Sequence, residues 1–194
     1  MSQKTDEIPV CSTSIHVRCI ANVQIPCQHS QTQETEPTEP LPPSMFGKDL
    51  IEQVYADAMR TGAGEGELKI PVIVEKCIDA VDQLALDYEG IYRKTGGSTQ
   101  TKAITQLFEQ GNYASFDLLD TDRFNDICSV TSVLKTYFRQ LPVPLLTFDL
   151  HDQFIQSVGI KDPAVKHQTL MELVNNLPDE HYYTLRKLMI HLHR

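Results

Sequence analysis

Tryptophan is absent from this chain of 194 residues, and no stretch is apolar for long enough to span a membrane. A transmembrane helix needs about 20 consecutive, mostly apolar residues. The amino-terminal stretch MSQKTDEIPV also lacks the apolar segment of a secretory signal peptide. We therefore expect a cytoplasmic protein with no direct insertion into a membrane.

Positive charge is scarce as well. The chain has 17 lysines and arginines against 26 aspartates and glutamates, for a formal net charge of -9 at pH 7. An acidic surface repels the phosphates of nucleic acids, so we do not expect a nucleic-acid partner. The charge balance favours a basic or mixed-charge protein as the partner.

The five cysteines indicate neither a disulfide framework nor a metal site. Their odd number and wide spread are typical of a reduced intracellular protein. Cys11, Cys19 and Cys27 are spaced eight residues apart with His16 and His29 nearby, which raises the hypothesis of a zinc site. The short Cys-x-x-Cys and His-x-x-x-His spacings of structural zinc sites are missing, however. We therefore predict no metal site.

The composition divides the chain near residue 44. Residues 28–44 are rich in Gln, Thr, Glu and Pro, and they cannot bury enough apolar surface to offset the entropy of ordering. Residues 14–27 are rich in β-branched side chains and form either a strand or an isolated piece of another region. We predict a largely disordered segment over residues 1–44 and one domain over residues 45–194.

After Met45 the apolar side chains recur at helical spacing, without the alternation of strands. Recurrence at three- and four-residue steps predicts an all-α domain of short amphipathic helices. Six stretches show the pattern: residues 71–86, 98–111, 129–142, 147–158, 162–177 and 179–193.

The ends and buried faces of these helices can also be predicted. Pro71 suits the first position of one helix, Ser98 the N-cap of the next, and Gly111 the end of that helix. The expected core positions, in chain order, are Val74, Cys77, Ile78, Val81, Leu84, Ala103, Ile104, Leu107, Phe108, Val130, Val133, Leu134, Tyr137, Phe138, Leu185, Leu188 and Leu192.

The motifs of a self-sufficient enzyme are missing. The glycine-rich residues 62–69 fit neither a Walker nor a dinucleotide pattern, and we interpret them as a loop. No His-Glu-x-x-His or Gly-x-Ser-x-Gly motif occurs. His191 and His193 lie two apart on a helix, which favours a solvated helix end over a metal pair. Four further carboxylates are interpreted as loop and cap residues: Asp117, Asp120, Asp122 and Asp126.

Three basic residues carry the remaining chemistry. Lys135 and Arg139 are four apart on the predicted 129–141 helix, so they are neighbours on its surface. At about 100° per residue both lie off the apolar stripe, and they face either solvent or a groove. Arg93 lies in the stretch EGIYRKTGG, on a predicted loop between glycines. It either bonds to nearby carbonyls or reaches out of the molecule.

Three blocks of the sequence resemble, in order, the pattern of Rho GTPase-activating (RhoGAP) domains. They are EGIYRKTG (89–96), VLKTYFRQLPVPLLT (133–147) and LPDEHYYTLRKLMIHLHR (177–194). The lead-in MFGKDL (45–50), followed by PVIVEKCIDAV (71–81), is similar too. The resemblance covers residues 45–194 and implies a RhoGAP-type helical bundle. It looks closest to the RhoGAP domains that follow an F-BAR domain in fungal proteins.

The family pattern continues beyond the last of these blocks. After the helix that matches residues 179–193, family members carry Asn-Leu-Ala and Phe-x-Pro-Asn-Leu motifs, whose asparagine helps to hold the partner's switch region. This sequence stops at Arg194, before those motifs. The resemblance therefore implies a domain whose closing C-terminal helices are missing.

The resemblance also implies a role for each basic residue. Arg93 matches the arginine finger that family members insert in trans into a GTPase. Lys135 and Arg139 match helix positions that contact the GTPase and steady the finger loop. Pro144 matches a proline at the GTPase-facing surface. The implied partner is a Rho-family small GTPase in its GTP-bound form, which itself holds the GTP and Mg²⁺.

Two classes of function stay open. A GTPase activator would use Arg93 to accelerate hydrolysis and switch off signalling. It would not be an enzyme itself and would need no cofactor of its own. The alternative is a non-catalytic module that binds a GTPase or serves as a scaffold. The resemblance agrees with a cytoplasmic location and adds the cell cortex as an expected site.

Overall fold

The computed structural model describes residues 44–64 and 66–194. In this part of the chain all regular structure is helical, which confirms the predicted all-α class. None of the described helices is long and apolar enough to cross a membrane. The predicted linker, the 14–27 stretch and the cysteines considered for zinc lie outside the described residues.

The elements in chain order are α1 (Leu50–Thr61), α2 (Val72–Leu84), α3 (Ser98–Gln110), a short 3-10 helix (Tyr113–Ser115), α4 (Ile127–Gln140), α5 (Phe148–Val158), α6 (Pro163–Asn175) and α7 (Asp179–Leu192).

Helix α4 lies at the centre of the domain and packs against α2 and α3. Its predicted stripe is confirmed, because four of the five positions are buried and Phe138 is half-buried against the core. The largest fully buried apolar side chains come from these three helices and α1. They include Leu50, Ile73, Ile78, Ile104, Phe108, Leu134 and Tyr137.

Helix α1 is not predicted by the apolar spacing, because two polar residues occupy its buried face. Gln53 and Asp57 are both fully buried, and the Gln53 amide donates to the Asp57 carboxylate at 2.7 Å. The backbone amide of Val72 donates to the same carboxylate at 2.9 Å, which joins α1 to the start of α2. The helix begins at Asp49, whose side chain caps two amides, and ends at Gly62 with a left-handed φ of 72°.

The predicted helix ends are partly right. Gly111 ends α3 in the left-handed conformation, with φ of 70°, which confirms the prediction. Pro71 lies one position earlier than predicted, as the N-cap of α2. Ser98 is the first residue of α3 and not its N-cap. Gly97 is the N-cap of α3. Its amide donates to the carboxylate of Asp126 at 2.7 Å.

Three predicted core positions are wrong. Leu84 is 43% exposed at the end of α2, because Ala85 takes the buried place where the chain turns. Leu192 is 54% exposed, because His191 is the side chain that faces inward in the last turn of α7. Ala103 is also exposed, since α3 buries only the narrow face that contains Ile104 and Phe108.

Candidate functional site: the Arg93 loop and its groove

The Arg93 loop, residues 88–97, leads into α3 and is turned by its own backbone. The amides of Arg93 and Lys94 donate to the carbonyl of Gly90 at 2.9 and 3.0 Å. Gly90 has a φ of 74°, a left-handed conformation that glycine adopts without strain. Arg93 is thereby placed on a tight, outward turn.

The side chain of Arg93 is exposed. Its guanidinium lies over Gly90, where an added Cβ would be 3.5 Å from both Nε and Nη2. Within residues 44–64 and 66–194 the guanidinium forms no salt bridge, and the hydrogen bonds of Arg93 run through its backbone. The Arg93 side chain is therefore exposed and not bonded to nearby carbonyls in this part of the chain, and it lies against its own loop.

Helix α4 fixes the backbone of the Arg93 loop through four side chains. Three are hydroxyls and one is an ammonium group, and each bonds to a different loop residue. The pairs are Ser129 with the Gly97 carbonyl at 3.2 Å, Thr131 with the Ile91 carbonyl at 3.1 Å, Ser132 with the Gly96 amide at 3.1 Å, and Lys135 with the Tyr92 carbonyl at 2.7 Å. The loop is thus bound to α4 on both sides of Arg93.

Gly96 brings the loop into direct contact with α4. A Cβ at this position would overlap the backbone of Cys128 and Ser129. Any other residue would therefore push the loop off the helix. The sequence shows this glycine, but the contact that requires it becomes visible only in the fold.

Asp126 joins the loop to the first turn of α4. Its carboxylate accepts from the Ser129 hydroxyl at 2.7 Å, the Gly97 amide at 2.7 Å and the Cys128 amide at 3.1 Å. Burial disfavours its charge, but these hydrogen bonds outweigh that effect and hold the pKa of Asp126 below its ordinary value. The predicted cap role is confirmed for Asp126. Asp117 and Asp120 likewise accept amide hydrogen bonds in their own turns.

A groove of about 360 Å³ runs between the Arg93 loop and α4. Lys135 and Arg139 both line it, so these two basic residues face a groove as well as solvent. Lys135 is half-buried, whereas Arg139 is exposed and donates to the Thr136 hydroxyl at 3.0 Å. The other lining residues are Thr95, Gly96, Ser98, Thr101, Lys102, Ser132 and Thr136. The structure thus brings the Arg93 loop, Lys135 and Arg139 together.

Pro144 lies outside that groove, in the turn that follows α4. We call residues 141–147 the Pro144 turn. The carbonyl of Pro144 accepts from the Thr147 amide at 2.8 Å, and the Leu145 carbonyl is 3.0 Å from Nδ1 of His181 on α7. Thr147 has a φ of 56°, which is unusual for a residue with a side chain.

His191 is a buried residue that the sequence interpretation placed wrongly. It is 5% exposed and not part of a solvated helix end, whereas His193 is exposed. Its Nε2 lies 2.5 Å from the Tyr92 hydroxyl, and its Nδ1 lies 2.5 Å from a carboxylate oxygen of Asp82. The prediction failed because both partners are distant in sequence.

Ser129, Thr131 and Ser132 were also not singled out from the sequence. All three are buried on α4, among apolar neighbours. A signal was available, since three hydroxyl residues in four positions are unusual on the core face of an amphipathic helix. Within the described ranges no group of three or more His, Cys, Asp or Glu side chains is arranged to hold a metal ion.

Solved structures with this arrangement of helices define a class of GTPase-activating domains. Human Rho GTPase activating protein 15 aligns with a TM-score of 0.65 and 28% identity, over 77% of this chain and 65% of that chain. The BH domain from Graf, the GTPase regulator associated with focal adhesion kinase, aligns with a TM-score of 0.54 and 28% identity. That alignment covers 62% of this chain and 63% of the Graf domain.

Sequence comparison defines the family. The family model for the RhoGAP domain matches residues 71–194, and the chain belongs to the RhoGAP domain family. N-chimaerin of Mus musculus is 36% identical over 145 residues, which are 74% of this chain and 31% of that protein. Rho GTPase-activating protein 21 of Mus musculus is 37% identical over 123 residues, which are 63% of this chain and 6% of that protein. This chain therefore spans less than half the length of these curated relatives.

Proposed function

We propose that this domain activates GTP hydrolysis by a Rho-family small GTPase in its GTP-bound form, with Arg93 acting in trans as an arginine finger. The observation that carries the proposal is the placement of Arg93. Its guanidinium is exposed, while α4 holds the backbone on both sides of it. A long cation on a fixed base can enter the nucleotide site of another protein while the loop itself stays ordered.

The chemistry of phosphoryl transfer explains why a guanidinium is suitable. Negative charge spreads over the transferred phosphoryl group in the transition state, and an arginine supplied in trans accelerates hydrolysis by about 10³–10⁵-fold. The planar fork of arginine presents parallel N–H donors that match two phosphate oxygens, a geometry that the single nitrogen of an ammonium group does not reproduce.

The groove beside the loop supports partner binding by Lys135 and Arg139. Positive charge is concentrated there although the chain as a whole carries a net charge of -9. We assign Lys135 two tasks, since it holds the Tyr92 carbonyl and also lines the groove. Arg139 contacts the partner, and Pro144 contacts it from the turn that follows α4.

The GTP and Mg²⁺ belong to the partner in this proposal. The domain itself needs no cofactor, and it is an activator and not an enzyme. We place its action in the cytoplasm, with the cell cortex as a further prediction. The narrower likeness to fungal F-BAR-linked RhoGAP proteins stays a prediction, because the relatives reported above are chimaerins and numbered Rho GTPase-activating proteins.

The alternative, a non-catalytic binding module or scaffold, would need the groove but not Arg93. The exposed Arg93 on an anchored loop favours the activator, because a guanidinium mounted there can enter the nucleotide site of a partner. The two functions differ in what the loss of Arg93 does to rate and affinity.

Single-turnover GTP hydrolysis across a panel of Rho-family GTPases tests the proposal. Arg93→Ala should lower the acceleration by about 10³-fold, and Arg93→Lys should recover little of it. Binding to a GTPase loaded with a non-hydrolysable GTP analogue should change by no more than about twofold, since the finger acts mainly in the transition state. Lys94→Ala is the matched control. Lys94 is the neighbouring exposed cation, which lies over the ring of Tyr88, and its loss should leave the rate unchanged.

Two results would contradict this assignment. If Arg93→Ala accelerates hydrolysis as well as the wild type does, Arg93 is not the finger. If a version of the wild type extended through the missing C-terminal helices binds GTP-loaded GTPases and accelerates none of them, the domain is a binding module.

A further inference from the structure

A chain of polar side chains, centred on the buried His191, lies behind the Arg93 loop. Tyr92, the residue immediately before Arg93, points its phenol inward, away from the groove. Its hydroxyl meets Nε2 of His191 at 2.5 Å, and the two rings pack edge to face with centroids 5.7 Å apart. The loop is therefore linked to α7 as well as to α4.

The other side of His191 is held by α2. Its Nδ1 lies 2.5 Å from one carboxylate oxygen of Asp82, and the second oxygen accepts from Arg194 at 2.6 Å. A carboxylate can only accept, so Nδ1 of His191 carries the hydrogen. Burial, with the nearby Cys77 and Asp82, raises the pKa of Tyr92 to about 12, so its hydroxyl keeps its proton. A single hydrogen bond therefore joins the Tyr92 hydroxyl to Nε2 of His191.

Tyr92 is consequently fixed at two points. Its carbonyl accepts from Lys135 on α4 at 2.7 Å, while its hydroxyl is bound by His191 on α7. Because Tyr92 directly precedes Arg93, a displacement of Tyr92 would move the peptide unit that joins the two residues. A shift of about 1 Å at a group that acts on the reacting atoms can cost as much as 100-fold in rate.

We propose that His191, oriented by Asp82, is a positioning residue that sets the direction of Arg93 through the Tyr92 hydroxyl. This inference rests on the proposed function, because it assigns His191 a task in placing the finger. His191 does not touch the partner or the nucleotide in this arrangement. It acts only through Tyr92.

A merely structural role of His191 can be distinguished from a positioning role, because a second polar pair also joins α2 to α7. The ammonium of Lys187 donates to a carboxylate oxygen of Asp79 at 2.6 Å, between the same two helices. Lys187→Met removes this ion pair, and Lys187 makes no hydrogen bond to the Arg93 loop. It is the matched control for any general loosening of α7.

The test uses Tyr92→Phe, His191→Asn, the double variant and Lys187→Met. Phenylalanine removes only the hydroxyl. Asparagine retains a donor near the position of Nδ1, for Asp82, but has no atom at the place of Nε2. The measurements are the single-turnover hydrolysis rate at saturating domain, the affinity for the GTPase with a non-hydrolysable analogue, the melting temperature, and amide hydrogen exchange of the Arg93 loop.

Each single variant should lower the saturated rate by about tenfold, because the finger is displaced, while affinity changes by no more than about twofold. The double variant should be no slower than the worse single variant, since both changes break one link. The amides of Arg93 and Lys94 should exchange faster in all three. Lys187→Met can lower the melting temperature but should keep both the saturated rate and the slow exchange.

The proposal is overturned if Tyr92→Phe and His191→Asn keep the wild-type rate and exchange, or if Lys187→Met reproduces their losses. It is also overturned if the whole effect appears as lost affinity. Failure of the proposed function looks different, because then the wild type accelerates no GTPase. Amide hydrogen exchange of the Arg93 loop, compared between the wild type and the variants, still decides whether His191 positions Arg93.

Discussion

The Arg93 loop and the Pro144 turn both adjoin α4, and both carry residues predicted to touch the partner. They are held very differently. Side chains of α4 bind the Arg93 loop at four backbone groups, and Gly96 lies directly on the helix. The Pro144 turn is closed by its own Thr147 amide and one bond to α7, and it includes a residue with positive φ. The difference shows that the backbone is held most firmly around Arg93, the residue proposed as the arginine finger.

The largest expected effect comes from separating the Arg93 loop from α4. Gly96→Val places a side chain into the backbone of Cys128 and Ser129, so the loop must move. We expect the saturated hydrolysis rate to fall by about 100-fold or more, as for other misplaced catalytic groups. Gly97→Ala is the control, because its Cβ would have the Asp126 carboxylate at 3.6 Å, an ordinary contact. Equal losses in both variants would show that the close approach at Gly96 is unimportant.

The next effect separates the two basic residues of the groove. Lys135→Met removes the bond to the Tyr92 carbonyl, so both the saturated rate and the affinity should fall, the rate by about tenfold. Arg139→Met removes an exposed charge that does not hold the loop. It should weaken affinity by about two- to fivefold and leave the saturated rate unchanged. Titration of hydrolysis against domain concentration measures both quantities. A lower saturated rate for Arg139→Met would contradict the comparison.

A smaller effect is expected on stability at Asp126. Asp126→Ala removes the cap of α4 and the bond to Gly97, and it should lower the free energy of unfolding by about 1 kcal/mol at pH 7. The folded-state pKa lies below the ordinary value of 3.8. The stabilisation is therefore present above pH 3.8 and is lost as the pH falls through the folded-state pKa. Urea unfolding of both proteins at several pH values measures this. A difference that does not shrink in acid would contradict the argument.

The smallest effect concerns the Pro144 turn. Thr147→Gly removes the Cβ at a φ of 56°, so the relief of strain should roughly offset the greater freedom of glycine in the unfolded chain. We expect the free energy of unfolding to rise or stay within about 1 kcal/mol of wild type, with an unchanged hydrolysis rate. Thr147→Ala keeps the Cβ and should not exceed Thr147→Gly in stability. A marked loss of hydrolysis in Thr147→Gly would give this turn a larger role than the comparison assigns.

The helices that the sequence predicts well are those whose inner face carries a regular apolar stripe, even where hydroxyl residues are buried beside it. On α4, Val130, Val133, Leu134 and Tyr137 recur at helical spacing and are all buried. On α1 the same spacing is interrupted by the buried polar residues of its inner face. Buried polar groups are stable only when paired, and their partners lie in other elements that a local pattern does not include.

Within the candidate site, local features are likewise easier to predict from the sequence than contacts between distant residues. The sequence leaves two positions open for Arg93 and for the pair of Lys135 and Arg139, and the fold shows that Arg93 is exposed and that both members of the pair line a groove. The link between Tyr92 and His191 joins residues 99 positions apart, and Asp82 is 109 positions from His191. Contacts of that range depend on how the helices are packed. The sequence therefore identifies the basic residues, and the structure shows where they lie and what holds them.

The anchoring of the Arg93 loop also has a consequence for the entropy of association. Ordering a free backbone costs about 1–2 kcal/mol per residue, and the immobilisation of one long side chain costs up to about 2 kcal/mol in all. Because this loop is already ordered when the domain folds, docking has to immobilise the Arg93 side chain and little else. Each encounter with a partner then begins from a backbone conformation that suits the complex, and a search among loop conformations need not slow the association.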